Sequence, residues 1–166
     1  MAKKTSSTSA GTLATVALKA AGVPFTAHSY THDPENTNFG LEAATLMGVA
    51  PERVFKTLMA EVGDSLVVAV VPVNGSLDLK ALAQALGHKK AAMADPATAQ
   101  RRSGYVLGGI SPLGQRHHSP TIVDESALQY ATIYVSGGRR GFDVELSPTC
   151  LITLTQAITA KIGHPV

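Results

Sequence analysis

A lysine lies inside a run that otherwise reads as buried strand, Val54–Phe55–Lys56–Thr57–Leu58–Met59–Ala60. Removing an unpaired ammonium from water is costly, so Lys56 either leans out to solvent or points into a polar pocket. Two glycine-punctuated segments offer further parts of such a pocket: Gly108–Gly109–Ile110–Ser111–Pro112–Leu113–Gly114 and Ser136–Gly137–Gly138–Arg139–Arg140–Gly141–Phe142–Asp143. Glycines let backbone approach a ligand closely, and their N–H groups can hold a carbonyl oxygen as charge develops on it. Lys56 suits a phosphate, a carboxylate or an oxyanion, and Asp143, between Phe142 and Val144, suits a substrate ammonium. A purely structural account fits the same residues: an exposed lysine on a sheet face, a Gly137–Gly138 hairpin turn and a solvent-facing Asp143. The residue types alone leave both accounts open.

Other chemistries lack their motifs. Neither G-x-G-x-x-G nor G-x-x-x-x-G-K-[ST] occurs, which removes the standard dinucleotide and P-loop signatures. Ser111 sits in Gly-Ile-Ser-Pro-Leu-Gly, which does not form the nucleophile elbow. His28 and His32 are four apart, but that spacing serves a metal chiefly on a helix, and here it runs into an Asp33–Pro34 turn. The single cysteine, Cys150, excludes an intramolecular disulfide and a cysteine-based zinc cluster. No metal or cofactor is expected.

The elements that must position Lys56 follow from patterning. Ser9 can cap a helix over about 10–21 that Gly22 closes, and Val23–Tyr30 reads as a strand. A polar loop over Thr31–Asn38 leads into Phe39–Gly40 and a short helix, Leu41–Met47, ending at Gly48. The Lys56 strand then turns at Gly63–Asp64 into the apolar run Leu66–Val73, the clearest hairpin of the chain, with Val67–Val71 expected in the middle of a sheet. Asp78 caps a helix through Leu86, Lys89–Met93 is a short strand, and Asp95–Pro96 opens a helix ending before Gly104. Strands are expected at Tyr105–Gly109 and Thr121–Val123, then at Thr132–Val135 and Phe142–Leu146 around a Gly137–Gly138 turn, before a last helix from Ser147–Pro148 to about Ala160. The fold class is therefore α/β (mixed): a single domain over 9–166, with a curled, mainly antiparallel or mixed sheet flanked by short helices, behind a flexible tail over 1–8.

Composition agrees with a compact enzyme-like fold. Of 166 residues, 45% are hydrophobic and 16% charged, the latter below the common share of about 25%. Net charge is +2, too weak to indicate nucleic-acid binding by itself. Its distribution is uneven: residues 1–83 carry six Lys/Arg against seven Asp/Glu, and 84–166 carry eight against five. Arg101–Arg102, Arg116–His117–His118 and Arg139–Arg140 form a modest basic bias suited to phosphates. Neither a signal peptide nor a membrane span is discernible, so a soluble, cytoplasmic protein is expected.

Five motifs carry a family resemblance: Tyr30–Thr31–His32–Asp33–Pro34, Phe39–Gly40–Leu41–Glu42–Ala43–Ala44, Phe55–Lys56–Thr57–Leu58, Gly108–Gly109–Ile110–Ser111–Pro112–Leu113–Gly114 and Val135–Ser136–Gly137–Gly138–Arg139–Arg140–Gly141. In this order, across about 25–150, the chain resembles the YbaK family of trans-editing deacylases, related to the editing insertion of prolyl-tRNA synthetases, and is closer to its cysteine branch than to its alanine branch. The resemblance implies deacylation of mischarged aminoacyl-tRNA, chiefly Cys-tRNA(Pro), with tRNA(Cys) as a further substrate and prolyl-tRNA synthetase as partner. It implies an essential Lys56, and an aminoacyl-adenosine pocket lined by Tyr30, Phe39, Thr57, Gly108, Gly109, Ser136, Gly137 and Asp143. It also implies chemistry without metal or protein nucleophile, in which the substrate's own thiol attacks its ester. Arg101, Arg102, Arg116, Arg139 and Arg140 become candidates for tRNA phosphates. Two alternatives remain: a non-catalytic amino-acid, nucleotide or tRNA-binding module of the same fold, and a deacylase for alanine or another small amino acid.

Overall fold

The computed structural model describes residues 11–165. The expected tail over 1–8 and the Ser9 cap lie outside that range. Thr12 caps α1 (Leu13–Ala20), the first helix among the described residues, by accepting from the Thr15 amide, and Ala14, Thr15 and Leu18 are its buried residues. Strand β1 (Thr26–Ser29) follows, then α2 (Phe39–Met47), which starts under an Asn38 cap and stops at Gly48, whose φ of 70° favours glycine. The central hairpin is β2 (Phe55–Val62) with β3 (Ser65–Pro72), antiparallel from Phe55 opposite Pro72 to Val62 opposite Ser65, turning through Gly63. β4 (Gly75–Leu77), α3 (Leu79–Ala85), β5 (Ala91–Met93) and α4 (Pro96–Ser103) come next, the two helices capped by Asp78 and Asp95 as their sequence indicated. After a long irregular stretch come β6 (Thr121–Asp124), β7 (Ile133–Arg139), β8 (Phe142–Leu146), α5 (Pro148–Thr155), β9 (Ile158–Ala160) and β10 (Gly163–Pro165).

The strands form a five-stranded mixed sheet ordered β5-β2-β3-β6-β9, a three-stranded antiparallel sheet ordered β1-β8-β7, and a β4/β10 pair. In the larger sheet β6 runs parallel to both β3 and β9. A parallel bridge from Val54 to Tyr134 links the lead-in of β2 to β7. The continuous apolar run of β3 is buried on both faces, as a central strand should be. Val68 and Val70 pack with Phe55, Met59, Phe142 and Leu151, whereas Val67, Ala69 and Val71 pack with Leu82, Ala83, Ile122 and Ile162. These two clusters hold β2 in place on either side of its lysine.

Three expectations need correction. Tyr105–Gly109 is not a strand: Gly104 and Gly108 both take positive φ, and the chain coils so that the buried Tyr105 hydroxyl donates to the Leu113 carbonyl. Gly137–Gly138 is not the hairpin turn but an irregularity inside β7; the turn is Arg140–Gly141, and Gly141 has φ 80°. The last helix ends at Thr155, not near Ala160, because Gln156 adopts a left-handed cap (φ 58°) whose amide donates back to the helix. That early stop releases Ile158–Ala160 to pair with β6.

Candidate active site

The first half of β2 crosses the floor of a cleft of about 370 Å³. The other walls are the end of β1 (Tyr30), the start of α2 (Asn38, Phe39, Gly40), the irregular loop at Leu107, Gly108 and Ile110, and the β7–β8 pair, which contributes Ser136 and Asp143. Hairpin registry explains the last pair: Asp143 stands opposite Ser136 on one side and His28 on the other. β5 pairs only with Ala60–Val62, so Lys56 and Thr57 lie on the part of β2 that this neighbour leaves uncovered.

Lys56 is half-buried, and burial lowers its pKa from that of a free lysine. Its Nζ donates to the Gly75 carbonyl at 2.8 Å, and among the described residues no carboxylate lies within ion-pair distance of it. One of three donors is thus used to aim the ammonium, and a positive charge is kept in the cleft without an internal counter-ion. Asp143 is 5% exposed, and burial raises its carboxyl from 3.8 to about 7, with the Tyr30 hydroxyl beside it acting the other way. Tyr30 is itself pushed well above the usual phenol value, by burial first and by Asp143 second, so it stays a protonated donor. The Thr57 hydroxyl is buried and has no hydrogen-bond partner, although it borders the cleft. A buried polar atom left unpaired costs about 1–3 kcal/mol, which a bound polar group would relieve.

The glycine loops divide the work between approach and packing. Gly108 lines the cleft at φ 84°, and a Cβ there would come within 2.9 Å of the Phe39 ring. Its amide has no acceptor among the described residues. Gly109 and Gly137 are not among the lining residues. The Gly109 amide is spent on the Val106 carbonyl, and a Cβ there would strike the Arg139 backbone at 2.7 Å. Gly137 lies against the Phe142 ring, where a Cβ would meet it at 2.4 Å. Of the nine residues singled out from the sequence for catalysis or substrate binding, seven surround one cleft: Tyr30, Phe39, Lys56, Thr57, Gly108, Ser136 and Asp143.

The basic residues are dispersed. Arg140 stands at the cleft's rim and its Nε donates to the Leu107 carbonyl. Arg139 covers the Phe142 ring, its guanidinium carbon 4.4 Å from the ring centre. Arg101 and Arg102 end α4, and the Arg116 amide donates to the Ser103 carbonyl at that helix end. His28 and His32 point to different carboxylates, Glu145 at 3.0 Å and Glu42 at 2.7 Å. Ser111 is buried, its Oγ accepting from the Leu113 amide, away from the cleft lining. Sequence reasoning missed the Gly75 carbonyl that aims Lys56. It also missed Gly40, which presses so closely on Val73 that a Cβ would meet it at 2.4 Å. No local pattern announces either contact, because both join residues across a tertiary interface.

Residues 36–154 match the model of the aminoacyl-tRNA editing domain. The chain is 39% identical over 142 residues to the "Putative Cys-tRNA(Pro)/Cys-tRNA(Cys) deacylase EbsC" of Enterococcus faecalis, covering 84% of this chain and 85% of that protein. It is 32% identical over 132 residues to a proline–tRNA ligase of Moorella thermoacetica, where the match spans 75% of this chain but 22% of the ligase. Among solved structures, a "putative trans-editing enzyme for prolyl tRNA synthetase" superposes with TM-score 0.79 at 23% identity, over 92% of this chain and 95% of that one. The hypothetical protein APE2540 superposes with TM-score 0.78 at 26% identity, over 89% and 96%. The matched region contains the cleft floor, the glycine loop and the β7–β8 hairpin, and the chain belongs to the aminoacyl-tRNA editing domain family.

Proposed function

We propose that the protein is a trans-editing deacylase that releases a mischarged amino acid from tRNA, with Cys-tRNA(Pro) as the principal substrate. The observation that carries this reading is the gathering of Lys56, Tyr30, Thr57, Gly108 and Asp143 around one cleft. The relative named for Cys-tRNA(Pro) and Cys-tRNA(Cys) deacylation supports the substrate, and the proline–tRNA ligase match supports prolyl-tRNA synthetase as the partner that supplies it. Asp143 holds the substrate ammonium; the incoming charge ionises a carboxyl that burial, against the opposing Tyr30 hydroxyl, raises to about 7. The free Gly108 amide and the two remaining donors of the Lys56 ammonium are available to the ester's carbonyl oxygen as negative charge grows on it. With cysteine as the acyl group, its sulfur attacks the ester carbon and the carbon–oxygen bond to the ribose breaks. The ribose oxygen takes the thiol proton, and a cyclic thiolactone leaves. The protein's share is then orientation and charge stabilisation.

The test is deacylation of Cys-tRNA(Pro) and Ala-tRNA(Pro) by the wild type beside Lys56→Ala. Wild type should release cysteine faster than alanine, and Lys56→Ala should lose roughly 100-fold or more in kcat, the scale of removing one oxyanion donor. Preferential release of alanine would move the substrate to the small-amino-acid alternative. An unchanged rate in Lys56→Ala, with substrate still bound, would sink the role given to the lysine.

A further inference from the structure

Arg140 is exposed, yet it is fixed at two points. Its Nε donates to the Leu107 carbonyl at 2.8 Å, and its guanidinium carbon stands over the Phe39 ring at 4.9 Å from the centre. Phe39 is itself held by the His32 ring at 5.5 Å, and His32 by Glu42 at 2.7 Å. The close approach depends on Gly108, since a Cβ there would sit 2.8 Å from the Arg140 Nε and 2.9 Å from the Phe39 ring. A long side chain that would otherwise sample many rotamers is thereby a preset plate beside three lining residues, Phe39, Leu107 and Gly108. The guanidinium carbon lies over an aromatic ring and its Nε is tied to a carbonyl. The side chain is otherwise exposed and open to a ligand.

We infer that Arg140 is the stacking platform for the terminal adenine of the tRNA, and so a positioning residue that sets where the aminoacyl ester lies relative to Lys56. Unstacked bases at nucleic-acid ends are commonly taken up on aromatic rings or guanidinium planes. Here the Phe39 ring already has two neighbours, His32 and Arg140, and Arg140 is the exposed one of the three. A phosphate contact would need only charge and would not require the side chain to be laid on Phe39 and clamped to Leu107. This inference rests on the deacylase reading and adds to it the group that recognises the nucleoside.

The test uses two non-hydrolysable amides, cysteine joined to the 3′-amino group of 3′-amino-3′-deoxyadenosine and the same amide on the base-free ribose, each with a free 5′-hydroxyl. Binding to wild type, Arg140→Ala and Arg140→Lys is measured by calorimetry and by competition. Both variants should bind the adenosine amide roughly 5- to 100-fold more weakly, the range of one base stacked on a side chain, while the base-free amide binds all three proteins alike. Retained affinity in Arg140→Lys would overturn the platform in favour of a point charge. Equal losses on both amides would show that Arg140 only holds the 107–108 loop, and no loss on either would remove Arg140 from recognition. If wild type fails to bind the adenosine amide, the deacylase reading falls and the platform falls with it; in every other outcome that reading stands independently.

Discussion

At the scale of single residues, the unusual group is Asp143. Burial is the first cause of its raised carboxyl pKa, which moves from 3.8 to about 7. In the unfolded chain it ionises near its ordinary value, so between about pH 4 and pH 7 the folded state holds more proton than the unfolded one. Stability contributed by this site is greatest at the acid end of that window and declines as pH rises toward 7, after which it levels off. Asp143→Asn should remove that decline, and urea midpoints taken from pH 4 to pH 8 would show it as a flatter profile than wild type. Activity moves the opposite way. The ionised carboxylate is the form that receives the substrate ammonium, so 1/KM should rise through pH 7 in wild type and lose that limb in Asp143→Asn. The Tyr30 hydroxyl lowers the Asp143 pKa, so Tyr30→Phe should push the same limb to higher pH. A limb that stays where it was would separate Tyr30 from Asp143.

At the scale of elements, the β7–β8 hairpin carries the site's precision. Its register places Asp143 opposite Ser136, and the irregularity between Ser136 and Arg139 shifts the pairing before the Arg140–Gly141 turn. Gly109 docks on that irregularity, with the Arg139 backbone where its Cβ would be. Backbone cannot step aside as a flexible side chain can, so Gly109→Ala should cost about 1–3 kcal/mol by overpacking. It should also lift the 107–110 loop off the cleft and lower kcat/KM. Loss of stability without loss of activity would show that the loop's height does not matter. The same hairpin marks the limit of what patterning revealed. The β2–β3 pair, the Asp78 and Asp95 caps and the buried β3 run were legible because alternation, turn glycines and capping residues are local signals. Lys56 and Asp143 were legible because a charge inside an apolar run is anomalous. The bulge was misread as a turn because Gly-Gly serves either purpose, and only the Phe142 ring lying on Gly137 decides which. The helix end at Gln156 was missed because a left-handed cap usually announces itself with glycine or asparagine.

At the scale of the whole molecule, the distribution of charge bears on how tRNA is held. Net charge is only +2, so a general positive field is a weak source of affinity. The five arginines singled out for phosphates instead sit in two places: Arg139 and Arg140 on the β7–β8 hairpin, and Arg101, Arg102 and Arg116 around the end of α4. These positions suit a substrate whose 3′ end enters the cleft while its phosphates reach a second point of support. Phosphate contacts give affinity without reading sequence, so under the proposed function choice among tRNAs falls to the synthetase partner. Replacing Arg101 and Arg116 together should weaken binding of every tRNA alike. Each lost contact should flatten the plot of log K against log salt by about 0.7 to 0.9, the increment for one phosphate neutralised. Deacylation of the short cysteinyl-adenosine ester, which carries no phosphate, should be untouched by that double variant. If the salt slope is unchanged and tRNA is still bound, the α4 arginines are ordinary surface and the support lies with the partner. A slope that flattens for one tRNA and not another would place sequence discrimination in this chain.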